Sequence, residues 1–134
     1  MNDDREINGI LKNSKTIAVV GLSPKQDRPS YGVTRYLQSH GYKIYPVNPN
    51  ETEILGEKSS PDLNSLSVIP DIVNVFRRSE SVFPIVDECI AKGVKCIWFQ
   101  LGVINYEAID KANKNNIRTI VDKCILIEHR RLGL

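Results

Sequence analysis

Four cations fall into two short segments whose other residues suit them to one kind of chemistry. Lys25 and Arg28 stand in GLSPKQDRPSYG (21–32), among two serines, two prolines and two bracketing glycines. Arg77 and Arg78 stand in FRRSES (76–81). Backbone amides, a hydroxyl and a helix start form a ready anion site, and a guanidinium can grip two phosphate oxygens at once. Two loops of this kind provide cations for more than one phosphate. Gly21 lets a ligand approach the backbone, and Gly32 lets a helix begin close to it. The spacing is neither G-x-G-x-x-G nor a Walker loop, because no G-K-[ST] follows. A solvated connection remains open for the first segment, as does pairing of one arginine with Glu80, Asp71 or an acid near the C-terminus.

Other stretches are candidates by position. NPN (48–50) stands where a NAD-binding domain usually carries an acid for the ribose, and Asn48 offers an amide instead, with Glu51 nearby. Pro49 reads equally as a turn residue. Phe76 could flank a flat ring or belong to the core. In WFQLG (98–102), Gln100 and Gly102 are candidates to line a crevice, and Trp98 reads as packing. His40 and His129 have no Ser, Cys or Asp at catalytic spacing, and the loops contain no paired carboxylates. No catalytic constellation is evident.

The elements that must position these residues alternate. DDREINGILK places Ile7, Ile10 and Leu11 on one helical face, with Asp3 and Asp4 at the favourable end of the helix dipole. TIAVV (16–20) is apolar on both faces, as strands of a parallel sheet covered by helices are. A helix from Tyr31 to about Gly41 follows, then a strand at 42–47. A polar, Pro-rich stretch comes next, with a short helical turn expected after Ser60. A strand at 71–76 precedes a helix at 79–93, capped by Ser79 or Ser81 with Pro84 in its first turn. Strand 95–99, helix 105–115 and strand 118–121 complete the alternation, and CILIEHRRL ends the chain as a short strand or helical turn. The order predicts one doubly wound, Rossmann-like α/β domain over 1–134. It has a five-stranded, mainly parallel sheet, helices on both faces, and the helix of 1–14 packed on it. Ligands of such folds sit beyond the carboxyl ends of the strands, where strand order reverses. Every candidate above follows a strand.

Composition narrows the class. With 134 residues, 41% of them hydrophobic and 25% charged, the chain suits one soluble core. A net charge of +2 argues against a nucleic-acid partner, and no apolar run is long enough to span a membrane. The acidic, polar start does not read as a signal peptide, so a cytoplasmic setting is expected. Cys89, Cys96 and Cys124 are odd in number and form no C-x-x-C, which disfavours a disulfide framework or a metal site. Cys89 and Cys96 read as core. Cys124 reads as a buried inert thiol or, alternatively, as the partner of a thiol ligand in a mixed disulfide.

Taken together, TIAVVGLSPKQDRPSYGV, GYKIYPVNPN, ILGEK, DIVNVFRRSE, WFQLGVIN and VDKCILIEHRRL resemble the small CoA-binding proteins. These are single-domain relatives of the CoA-binding domain of the succinyl-CoA synthetase α subunit. The resemblance runs from about Lys15 to Leu132. It implies coenzyme A or an acyl-CoA at the carboxyl edge of the sheet. By position it implies Gly21, Ser23, Pro24, Lys25 and Arg28 along a phosphate loop, and Tyr31 and Gly32 at the helix start. It further implies Asn48 and Pro49 after the second strand, Phe76, Arg77, Arg78 and Ser79 on the nucleotide side, and Gln100 and Gly102 closing the crevice. The synthetase uses a phosphorylated histidine in a second domain, for which this chain has no room, so ligase activity is not expected to carry over. The expected role is non-catalytic binding, as sensor, carrier or regulatory module, with a protein partner open. A nicotinamide-dependent oxidoreductase and a redox adaptor through Cys124 are the alternatives.

Overall fold

The computed structural model describes residues 3–134. Five parallel strands form one sheet: β1 (Thr16–Val20), β2 (Lys43–Val47), β5 (Ile72–Val75), β6 (Cys96–Phe99) and β7 (Arg118–Ile120). Their spatial order is β2-β1-β5-β6-β7. Helices α1 (Asp4–Asn13), α2 (Pro29–Ser39), α3 (Phe83–Lys92), α4 (Tyr106–Lys114) and α5 (Ile125–Arg131) cover it on both faces. This is the doubly wound α/β architecture.

Strand alternation explains how the helices are assigned. Ile17, Val19, Ile72, Trp98 and Ile120 point to one face and meet Ile7, Ile10 and Leu11 of α1, Val33 and Leu37 of α2 and Ile125 of α5. Ala18, Val20, Val73, Val75, Ile97 and Phe99 point to the other and meet Val86 and Cys89 of α3 and Ala108 and Ala112 of α4. Trp98 is fully buried, and its indole N–H donates to the Lys123 carbonyl at 2.8 Å. Asp3 caps α1 by accepting from the Glu6 amide at 2.8 Å, and Asn105 caps α4 by accepting from the Ala108 amide at 3.1 Å.

Three local expectations are corrected. The helical turn after Ser60 is reduced to one bond, from the Leu66 amide to the Leu63 carbonyl at 3.1 Å, and the stretch after β2 contains a small hairpin, β3 (Glu53–Ile54) with β4 (Glu57–Lys58), that was not expected. Its turn residues Leu55 and Gly56 both have positive φ, 53° and 78°, and strands of two residues are too short to show a period. The helix expected from Ser79 begins at Phe83 with Pro84 in its first turn, after a 3-10 turn at Ser79–Ser81. Ser79 caps nothing because its hydroxyl is engaged with the loop after β6: it donates to the Gly102 carbonyl and accepts from the Ile104 amide. Finally, α2 starts at Pro29, two residues early, since proline suits the first helical position.

Strand order reverses between β1 and β5. From β1 the chain crosses outward to β2, then returns past β1 to β5 and continues outward through β6 to β7. A crevice therefore opens beyond the carboxyl ends of β1 and β5, between the β1–α2 loop and the segment carrying Arg77.

Candidate functional site: a cationic cleft at the strand ends

The β1–α2 loop is held from within. Leu22 is fully buried and anchors it in the α1–α2–α5 core. The Gly21 amide donates to the Val47 carbonyl at 3.1 Å, the Ser23 amide to the Ser30 hydroxyl at 3.0 Å, the Lys25 amide to the Ser23 hydroxyl at 3.1 Å, and the Arg28 amide to the Lys25 carbonyl at 3.1 Å. Four of the loop's amides are thus consumed within the protein, which leaves the side-chain cations to carry positive charge along this rim. Gly21 is indispensable for another reason. It has φ +86°, and a Cβ there would lie 2.2 Å from the Phe76 carbonyl oxygen. The close approach brings the two cationic segments together.

They border a cleft of about 720 Å³, within the range usual for small-molecule sites. Of the residues expected from sequence, Gly21, Ser23, Lys25, Arg28, Phe76, Arg77, Arg78, Gln100 and Gly102 line it. Lys25, Arg28, Arg77 and Arg78 are all exposed, and none has an ion-pair partner among the described residues. Asp71, one acid considered for the arginines, instead accepts from the Lys15 and Thr16 amides at 2.7 and 3.1 Å.

Six expected residues lie outside the lining. Pro24 and Pro49 are exposed on their turns, and Tyr31 and Gly32 sit inside the first turns of α2. Asn48 is a brace: its Nδ2 donates to the Leu22 carbonyl at 3.0 Å and its Oδ1 accepts from the Asn50 amide at 2.9 Å. Ser79 fixes the loop after β6, as above. The lining also includes Pro29, Ser30, Val33, Leu101 and Val103, which the sequence reading passed over, and Cys124. Ser30 and Val33 were legible, being three apart on one face of a helix that starts at Pro29. Leu101 and Val103 flank Gly102 in a loop without periodicity.

The cleft has a charged rim and an apolar wall of Val33, Phe76, Leu101 and Val103. Its lining contains no carboxylate or histidine. His129 lies elsewhere, buried between α2 and α5, with its Nδ1 2.8 Å from the Tyr36 hydroxyl and its ring 5.0 Å from that of His40. Cys89 and Cys96 are buried in the two cores, and burial pushes both thiols up to about 12. A larger groove, about 870 Å³, runs along β7 and α4. It lies at the far edge of the sheet from the strand reversal, and its Arg118 is 3.9 Å from Glu6, so the cleft is the better ligand site. No helix among the described residues is long and apolar enough to cross a membrane.

A family model described as a CoA binding domain matches residues 15–130. The chain belongs to this family. Within the CoA binding domain family it is 42% identical over 124 residues to the uncharacterized protein YneT of Bacillus subtilis, covering 92% of each chain. It is 30% identical over 128 residues to an ADP-forming acetate–CoA ligase of Methanocaldococcus jannaschii, covering 90% of this chain and only 18% of the ligase. Among solved structures it matches a hypothetical protein from Pyrococcus horikoshii with a TM-score of 0.95 and 37% identity, covering 98% of this chain and 92% of that one.

Proposed function

We propose that the cleft binds coenzyme A or an acyl-CoA, and that the chain acts as a non-catalytic module: a carrier, sensor or regulatory subunit. The observation that carries this reading is the gathering of four cations, unpaired among the described residues, around one cleft at the strand reversal, in a chain of the CoA binding domain family. CoA presents a diphosphate and a 3′-phosphate to such a rim, and its pantetheine arm suits the apolar wall. Arginine forks suit phosphate oxygens, and the exposed rim gives them up to a ligand without first breaking an internal ion pair. The absence of carboxylate and histidine from the lining supports binding over acid–base chemistry. The ligase activity of the larger archaeal relative is not part of this reading, since the chain spans 18% of that protein.

Isothermal titration with CoA, dephospho-CoA and NAD tests it. CoA should bind, dephospho-CoA should bind more weakly for want of the 3′-phosphate, and NAD should give little heat. Saturable heat with NAD and none with CoA would reverse the assignment.

A further inference from the structure

Below the cationic rim, a pair of buried amides fixes what the floor of the cleft can recognise. Asn74 is fully buried in the central strand β5, next to Val73 and Val75, and Gln100, at the end of β6, is 5% exposed. An aliphatic residue would suit position 74 better unless the amide has work to do. The orientation of both amides follows from their backbone neighbours. The Ile125 amide can only donate, and it meets Gln100 at 2.9 Å, so that atom is Oε1. The Trp98 carbonyl can only accept, and Asn74 meets it at 3.3 Å, so that atom is Nδ2. The same Nδ2 donates to Gln100 Oε1 at 3.0 Å. Gln100 Oε1 is therefore held by two donors, while its Nε2 has no partner among the described residues and belongs to a side chain that lines the cleft. Asn74 Oδ1 is left buried without a partner among the described residues, a destabilising arrangement that accompanies the two bonds made by Nδ2.

Building on the CoA reading, we propose that Gln100 is a specificity residue whose Nε2 donates to a carbonyl oxygen of the ligand's pantetheine or acyl portion. Asn74 is the positioning residue that keeps this donor turned to the cleft. A fixed N–H donor set away from the exposed cations matches a neutral acceptor, and the carbonyl oxygens of CoA all lie in that arm: two amide carbonyls, plus a thioester carbonyl when acylated, whereas the adenosine end, shared with 3′,5′-ADP, offers only ring nitrogens and ribose oxygens as neutral acceptors.

The test compares 3′,5′-ADP, which has no pantetheine arm, with CoA and acetyl-CoA, by titration against four folded proteins. Gln100→Glu keeps an oxygen for Ile125 and Asn74 but loses the donor. Gln100→Met loses the donor without adding charge. Asn74→Leu frees the glutamine to turn. Melting curves confirm that each variant is folded. In both Gln100 variants the preference for CoA over 3′,5′-ADP should fall about tenfold, and in Asn74→Leu it should fall less, in the same direction. A loss confined to acetyl-CoA identifies the thioester carbonyl, whereas a loss shared by CoA identifies an amide of the arm. An unchanged preference, or equal weakening of all three ligands, overturns the proposal. Wild-type protein that binds CoA no more tightly than 3′,5′-ADP also overturns it while leaving the phosphate site standing. Wild-type protein that binds none of the three removes the CoA reading itself.

Discussion

The cations of the cleft and the cation at the α1–α5 seam have opposite fates. Arg131 of α5 donates to both carboxylate oxygens of Asp4, at 3.0 and 2.7 Å, and to Glu128 at 2.8 Å. Its hydrogen bonds and charge hold the Asp4 carboxyl below the usual carboxylate range. Lys25, Arg28, Arg77 and Arg78 have no such partners among the described residues. The seam uses its charge to tie the last helix to the first. The cleft leaves its charge available, so on the proposed reading like side chains contribute to folding at one place and to recognition at the other. Such a division is testable, because substitutions on the two sides should separate stability from affinity.

The largest effect should come from the contact that brings the cationic segments together. Gly21→Ala places a Cβ 2.2 Å from the Phe76 carbonyl oxygen and forces a side chain into the left-handed region. The strain and the clash together should cost on the order of 3 kcal/mol or more in urea denaturation, and CoA binding should go with it. Gly32→Ala is the control. That glycine is helical and a Cβ there meets nothing within 4 Å, so the substitution should stabilise by about 0.5–1 kcal/mol. If the two behave alike, the close approach at Gly21 is not what shapes the cleft.

The arginines sharpen the comparison directly. Arg28→Ala or Arg77→Ala should weaken CoA binding by about 1.5–3 kcal/mol, the usual worth of a charge-assisted hydrogen bond, and leave stability within about 0.5 kcal/mol of wild type. Arg131→Ala should do the reverse, lowering the melting temperature by breaking the seam while titration with CoA is unaltered. An Arg77→Ala protein that melts early yet binds normally would place that arginine in the structural class with Arg131.

How much of this was legible beforehand depends on the range of the signal. The sheet was readable because TIAVV is apolar on both faces, and that pattern has one physical cause, cover by helices on both sides. The cationic loops were readable because they follow strands of that sheet, and nine of the expected residues do line one cleft. Asn48 and Ser79, expected beside the ligand, lie outside the lining and bond to neighbouring loops, for a common reason. A polar side chain at a strand end can serve the ligand or the neighbouring loop, and only the partner, Leu22 in one case and Ile104 in the other, tells which. The amide pair of Asn74 and Gln100 lay beyond local reading too, since its meaning comes from Ile125 and Trp98, each more than twenty residues away from one member of the pair.

The smallest expected effect lies in the histidine pair beside the seam. Burial, and secondarily the neighbouring His40, hold the His129 imidazole below the ordinary value of 6.5. Around it stand Tyr36 of α2, His40 just after it, Tyr42 just before β2, and Arg130, whose guanidinium is 5.4 Å from the Tyr36 ring centre. None of them is an acid that would welcome a second positive charge. As pH falls below 6.5 the unfolded chain takes up a proton first, so stability is fully present above that value and declines until the folded value is passed. Urea midpoints at about pH 7.5 and about pH 5.5 should therefore differ more for wild type than for His129→Gln, which keeps a polar partner for the Tyr36 hydroxyl. CoA affinity at a fixed pH should be the same for both proteins, because His129 is not part of the cleft lining. Equal pH slopes would mean that His129 is not the group responsible. An affinity that moves with His129 would mean that α2, which lines the cleft with Pro29, Ser30 and Val33 and meets the imidazole through Tyr36, links the two regions instead of keeping them apart.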